Sequence, residues 1–302
     1  MRRLRAGHKA AAHLAFELIR EETAFCKALT VRLACQTLDV SRAGYYAWRE
    51  RAPSKRSVYD AALKKRIRFF FDRSDGTYGA RRIHFDLLDD GHQIGRCRVE
   101  RLMREMNVQG HQKRLRRRVR QLHDEGLHAM DLVQREWHPT GRDQIWVADI
   151  TQIPTWEGPL YLAAVLDVFS RRIVGWAMAD HMRAELVIGA FEMALAARRP
   201  APGLIHHSDH GSQYTSYAFG KTLRTAGVLP SMGRVRTCFD NAVAESFFAT
   251  LKKDRTNRRS WRNRHELRSQ VFDYVEGWYN THRRHSSLGN ISPAEFERRH
   301  AS

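Results

Sequence analysis

The sequence predicts an α/β protein: a mixed β-sheet flanked by helices, preceded by two helix-turn-helix units. Three observations predict it. Residues 145–179 hold three apolar runs of strand length separated by turns. From residue 183 to 253, helix-like and strand-like segments alternate. Residues 31–106 carry short apolar stretches at helical spacing, punctuated by turn residues.

The N-terminal arm comes first. Val31 to Leu38 has apolar residues at 31, 33, 34 and 38, and Arg42 to Glu50 follows after Asp39-Val40-Ser41. Ser41 is placed to cap the second helix through its hydroxyl. Tyr45, Tyr46 and Trp48 supply a packing face, and Pro53-Ser54 ends the pattern. A second unit starts at Ser57. Ala61, Leu63, Ile67, Phe70 and Phe71 form one helical stripe. After the Asp75-Gly76 turn, Ile83, Phe85, Leu87 and Leu88 form another, closed by Gly91. Val99, Leu102, Met103 and Met106 form a third. Arg81, Arg82, Arg96, Arg98, Arg101 and Arg104 dot the polar faces of the last two, so both units read as DNA-binding helix-turn-helices.

The middle is different in character. Ile145 to Ile153 is a strand stopped by Pro154, Leu160 to Val168 a second, and Ile173 to Ala179 a third, which together predict an antiparallel meander. Arg183 to Arg199 is an alanine-rich helix ended by Pro200. Leu204 to Ser208 is a fourth strand, Ser216 to Ala226 a helix, Val228-Leu229 a short strand and Asn241 to Lys253 a helix. That order of elements is the order of the ribonuclease-H-like fold.

Charge divides the chain in the same places. Fifty-two Lys and Arg against 33 Asp and Glu leave +19: +13 over residues 1–140, zero over 141–248 and +6 over 249–302. Two basic arms around a neutral centre are expected to grip the phosphates of nucleic acid. The densest run, Lys113, Arg114, Arg116, Arg117, Arg118 and Arg120, is expected to lie along DNA. No apolar run approaches the roughly 18 residues of a membrane span. Glu17, Glu21 and Glu22 argue against a targeting leader. Four cysteines without a Cys-x-x-Cys pair suit a reduced, cytoplasmic chain rather than a disulfide scaffold or a zinc ribbon.

Three acids occupy rigid positions: Asp149 within a strand, Asp209 at a strand exit just before Gly211, and Glu245 in the first turns of a helix. Hard carboxylate oxygens select Mg²⁺ or Mn²⁺, and two such ions are able to clamp the attacking and leaving oxygens of a phosphodiester. Lys252, seven residues after Glu245, falls on the same helix face and suits a DNA phosphate. Asp167, Asp180 and Asp240 are left out of the set; Asp167 is the strongest decoy, and Asp240 is placed to cap the helix carrying Glu245. His206-His207 alternate across a strand and so do not share one zinc ion. Cys238 lacks a histidine at a nucleophile's spacing.

These residues resemble the catalytic chain of insertion-sequence-three family transposases, relatives of retroviral integrases. The motifs that carry the resemblance are Trp146-Val147-Ala148-Asp149-Ile150-Thr151, His207 to Tyr214, Asp240 to Phe248 with Lys252, and Tyr279 to Leu288 with Ser292-Pro293. Val40 to Trp48 and Tyr78 to Ile83 extend it to the N-terminal arm. The resemblance implies Asp149, Asp209 and Glu245 as catalytic metal ligands for two Mg²⁺ or Mn²⁺ ions. It also implies DNA contacts at Lys252, and Arg283 and Arg284 in the C-terminal signature join the candidate contacts. It implies metal-dependent 3′-end cleavage and strand transfer by a homo-oligomer on double-stranded transposon ends and target. An upstream helix-turn-helix and leucine-zipper partner is a further implication. A ribonuclease-H-like nuclease that does not join ends, or an inactive DNA-binding regulator, are the alternatives. The expected divisions are 1–56 and 57–112 for the helix-turn-helix units, 113–139 for a basic linker, 140–255 for the catalytic core and 256–302 for a helical basic extension.

Overall fold

A computed structural model of the chain describes residues 2–26, 29–111, 133, 138–232 and 242–301. The chain forms two compact units, Met1–Lys65 and Arg66–Ser302.

In the first unit, helices α1 (Arg2–Phe25), α2 (Val31–Thr37) and α3 (Arg42–Arg49) surround a small core of Ile19, Ala34, Cys35 and Tyr45, with Phe16 and Trp48 packed against it. The Ser41 hydroxyl accepts the Gly44 N–H at 3.2 Å, the cap expected from the sequence. Arg49 lies over the Tyr46 ring at 4.8 Å and Arg20 over Trp48 at 5.4 Å. Helix α1 was not among the elements expected; Phe16 and Ile19 are the positions that anchor it. Helix α4 (Lys55–Arg73) starts in this unit and ends in the second.

The second unit continues with α5 (Ala80–Asp89) and α6 (Arg96–Glu105), which bury Ile83, Leu87, Val99, Leu102 and Met103. Then comes a five-stranded sheet in the order β3-β2-β1-β4-β5. Strands β1 (Ile145–Thr155), β2 (Gly158–Asp167) and β3 (Ile173–Ala179) form the antiparallel meander, while β4 (Ile205–Ser208) and β5 (Leu229–Met232) run parallel to β1. The first strand runs through Pro154 instead of stopping there. Strand β4 pairs only with Ile145–Val147, so β1 has an open edge further along, where the missing proline N–H leaves no ladder bond unmade.

Helices cover both faces. Helix α7 (Ala184–Arg198) lies so close to β3 that a Cβ on Gly175 would stand 2.2 Å from the Ala190 carbonyl oxygen. Its Leu186, Val187, Ala190, Phe191 and Ala194 join Trp146, Ala148, Ala163 and Val165 in one core, closed by Phe219 and Leu223 of α8 (Tyr217–Thr225). On the other face, Val243, Ala244, Phe247, Phe248 and Leu251 of α9 (Ala242–Leu251) meet Val147, Ile153, Leu160 and Leu162. The same core takes in Trp261, Leu267 and Val271, the last two from α10 (Arg264–Phe272), and Tyr274, Val275 and Tyr279 from a π-helical stretch, Asp273–Tyr279. The basic C-terminal segment is therefore part of the sheet's hydrophobic core. Asn280 fixes it to β3 by accepting the Ile173 N–H and donating to its carbonyl, at 2.9 and 3.0 Å. Glu297 of α11 (Pro293–Arg299) accepts from Arg198 and Arg172. Among the described residues no helix is long and apolar enough to cross a membrane.

Candidate active site

Side chains alternate along β1, so Asp149 shares the face of Val147 and Ile153, the face that α9 covers. It is 8% exposed, and its Oδ1 accepts the Ile150 N–H at 2.8 Å. Strand β4 pairs in parallel with Val147 opposite His207. The pairing stops there, two residues before Asp149 on β1 and two before Asp209 on the chain leaving β4. Strand β4 itself ends at Ser208, and the chain turns at once: Asp209 Oδ1 accepts the Gly211 N–H at 3.0 Å. A Cβ on Gly211 would stand 3.0 Å from that same oxygen, so the turn closes against the carboxylate without crowding it only because residue 211 has no side chain.

Glu245 lies in the first turn of α9, exposed, on the helix that covers the face of Asp149. Val243, Phe247 and Leu251 are its buried neighbours, as the spacing predicts. Lys252 is half-buried and opens a π-helical turn, Lys252–Thr256, in which the Asn257 N–H reaches back to the Lys252 carbonyl at 2.9 Å. The helix thus changes its winding where Lys252 is presented. Among the described residues, no three His, Cys, Asp or Glu side chains come together closely enough to hold an ion.

One residue near the aspartates, the last of the motif His207 to Tyr214, was given no role from the sequence. Tyr214 is 3% exposed, and its hydroxyl has no hydrogen-bond partner among the described residues. Burial first, then the charges of Asp149 and Asp209, push its pKa well above the usual phenol range.

The comparisons fit this architecture. The Integrase core domain family matches residues 139–238 and again 226–293, and an HTH-like domain matches residues 59–118. The chain is 42% identical over 266 residues to the 31 kDa protein of insertion element IS600 from Shigella sonnei, covering 88% of this chain and 98% of that one. It is 38% identical to the transposase for insertion sequence element IS629 of the same organism, over 87% of this chain and 90% of that one. It is 33% identical to the transposase InsF for insertion sequence IS3A of Escherichia coli, over 89% and 94%. The chain belongs to the insertion-sequence-three family of transposases.

The remaining candidates in this transposase divide by their surroundings. Asp167 is fully buried and accepts from the Ser170 N–H and hydroxyl and from the Asp143 N–H. It holds the β2–β3 turn, which accounts for it without catalysis. His206 sits among Phe191, Tyr214 and Phe219, its pKa lowered to about 3 by burial and then by His207. His207 faces the other way, with Nδ1 2.9 Å from the Ser231 hydroxyl. The two imidazoles point to opposite faces of the sheet.

Of the expected DNA contacts, Arg81 is exposed, whereas Arg82 turns inward over the Tyr78 ring at 5.2 Å. Arg283 and Arg284 differ from expectation. Arg283 is 6% exposed and donates from Nε to Asp254 at 2.8 Å. Arg284 is 8% exposed, donates to Asp86 at 2.6 Å and to the Asn290 carbonyl at 2.7 Å, and pairs with Asp89. These two guanidiniums are interior ties, already paired with carboxylates. Lys113, Arg114, Arg116, Arg117, Arg118 and Arg120 lie outside the described residues, as do Asp240 and Cys238.

Proposed function

We propose that this transposase is a divalent-cation-dependent polynucleotidyl transferase that cleaves the 3′ ends of its insertion sequence and joins them to target DNA. Asp149, Asp209 and Glu245 are its acids. The observation that carries the reading is the parallel β1–β4 register, which favours two aspartates one interstrand step apart beneath the helix bearing Glu245.

The donor set fits Mg²⁺ or Mn²⁺: it consists of carboxylate oxygens. Asp149 and Asp209 would hold an ion between them and Glu245 would complete the ligand set, for two ions in all. When bound, the ions supply Lewis-acid activation of the phosphodiester and offset the carboxylate charge. Asp149, on its strand, and Asp209, pinned by the Gly211 N–H, keep fixed positions through two successive displacements at phosphorus. In the first, a water oxygen bonds to phosphorus, the bond to the 3′ oxygen breaks, and that oxygen takes up the proton. In the second, the freed 3′-hydroxyl bonds to a target phosphorus and releases a target 3′-hydroxyl. One P–O bond replaces another, so neither step needs an energy source. Lys252, on the π-helical turn, would hold a DNA phosphate, joined by Arg81 and the basic run 113–120.

The proposal extends to cytoplasmic action as a homo-oligomer on paired ends, with an upstream helix-turn-helix and leucine-zipper partner. It retains the division into 1–56, 57–112, 113–139, 140–255 and 256–302.

A joining assay tests it. With pre-cut ends carrying a free 3′-hydroxyl, the wild-type chain should yield joined products in Mg²⁺. Asp149→Asn, Asp209→Asn and Glu245→Gln should each yield none while still binding the ends. Joined products from any of the three, or nicking by the wild type without joining, would overturn the reading.

A further inference from the structure

We infer that Trp156, with Arg262 beside it, forms a stacking platform for an unpaired nucleotide of the DNA. The indole takes the base and the guanidinium a phosphate of the same strand. The inference rests on the proposed reaction in one respect: cutting a single strand at each end frees nucleotides from their pairing partners, which supplies such a ligand.

Three observations carry it. First, Trp156 is 71% exposed, in the two-residue loop between Thr155 and Gly158, which pair across β1 and β2. Such loops favour Gly, Asn and Asp. Tryptophan adds no turn chemistry there, and in water its ring forgoes the burial that ordinarily holds it in a fold. Trp261, to which the loop is bonded, shows the contrast. It is 2% exposed, its indole N–H donates to the Thr256 carbonyl at 3.0 Å, and Arg259 lies over its ring at 4.3 Å. The Trp156 indole makes no such contact among the described residues.

Second, the loop is tied down on three sides. The Trp156 N–H donates to the Trp261 carbonyl at 3.0 Å, the Thr155 hydroxyl to the Gly158 carbonyl at 2.6 Å, and Glu157 accepts the Arg264 N–H at 3.0 Å. An indole carried on so fixed a backbone gives up little freedom when it stacks.

Third, the surroundings are basic. The bonds seat the loop on residues 261–264, beside Arg258, Arg259, Arg262 and Arg264. Arg258 pairs with Asp75, Arg259 with Glu266, and Arg264 lies 3.8 Å from Asp180. Arg262 follows directly on the carbonyl that accepts from Trp156. It is exposed, and its guanidinium has no acid partner among the described residues. A protein partner would need several apolar side chains to form a dry centre, yet the neighbouring Ile153, Leu160 and Trp261 are all buried. One indole and one unneutralised guanidinium suit one base and its phosphate. Trp156 lies seven residues beyond Asp149, about 24 Å along the strand direction. It therefore acts on DNA binding and not on the displacement at phosphorus.

Anisotropy titrations of the full chain test this with two probes, fluorescein-labelled oligothymidylate, which has no paired bases, and a mixed-sequence duplex. Trp156→Ala should weaken oligothymidylate binding about tenfold, the share of one stacked base, and duplex binding much less. Trp156→Phe keeps a ring and should retain most of the affinity. Arg262→Ala should lower the slope of log affinity against log salt on the single strand by about 0.7, the share of one phosphate. No loss in Trp156→Ala, an equal loss on both probes, a loss in Trp156→Phe as large as in Trp156→Ala, or an unchanged salt slope in Arg262→Ala would overturn the inference. A wild type that binds the duplex but not oligothymidylate would end this inference alone, whereas one that binds neither would end the proposed reaction on DNA as well.

Discussion

Asp254 is the residue whose loss should be felt most among those that sequence reasoning passed over. It lies in the π-helical turn that follows α9, is 3% exposed, and is the acceptor of two buried donors. Arg283 Nε is 2.8 Å and the Tyr274 hydroxyl 3.1 Å from the same Oδ2. Asp254→Ala removes the carboxylate and leaves a guanidinium stranded in the interior. Breaking a buried pair in this way costs about 3–5 kcal/mol, and the orphaned phenol adds about 1 kcal/mol. Against a typical total of about 5–15 kcal/mol, that loss is large. Replacing both partners, Asp254→Leu with Arg283→Met, leaves no buried charge and should return stability to within about 2 kcal/mol of wild type. Urea titrations of the three chains, read by circular dichroism, give the comparison. A loss below about 1 kcal/mol for Asp254→Ala, or a double variant no better than the single one, would show that the pair does not tie the C-terminal segment to α9.

Two further outcomes follow from the buried histidines and the basic arms. His206 is held near 3 by burial and then by His207. His285 is also held near 3, by burial and then by Arg283, Arg82 and Arg171. An unfolded histidine titrates near 6.5, so between those values the unfolded chain binds protons that the folded chain refuses. Stability should therefore fall as pH drops through 6.5, by about 2 kcal/mol per histidine from pH 7 to 5. His206→Phe should lose roughly half of that slope in melts at the two pH values, and an undiminished slope would contradict the assignment. Binding of duplex transposon ends should weaken about a thousandfold or more between 50 and 200 mM salt if the exposed basic residues make several phosphate contacts; a flat anisotropy titration would speak against them.

How much of this was legible in the sequence depended on how local the cause was. The meander, Ser41 as a cap and the buried stripe of α9 follow from short-range pattern, and the structure holds all three. The strand positions of Asp149 and Asp209 were equally local. Pro154 misled because its effect depends on whether a neighbouring strand is present, and the extent of β4 is not written near residue 154. Arg283 and Arg284 misled for the same kind of reason. Their neutralising partners, Asp254 and the pair Asp86 and Asp89, lie far off in the sequence, so a buried arginine reads like an exposed one. That the Tyr214 hydroxyl finds no partner among the described residues was not legible in the sequence, because it is a property of packing.

The most direct test of the central claim is crystallographic. An anomalous difference map from crystals grown with Mn²⁺ should show density between the carboxylates of Asp149 and Asp209, with Glu245 drawn in from the first turn of α9. Manganese bound elsewhere, with the two aspartate side chains directed to opposite faces of the sheet, would contradict it.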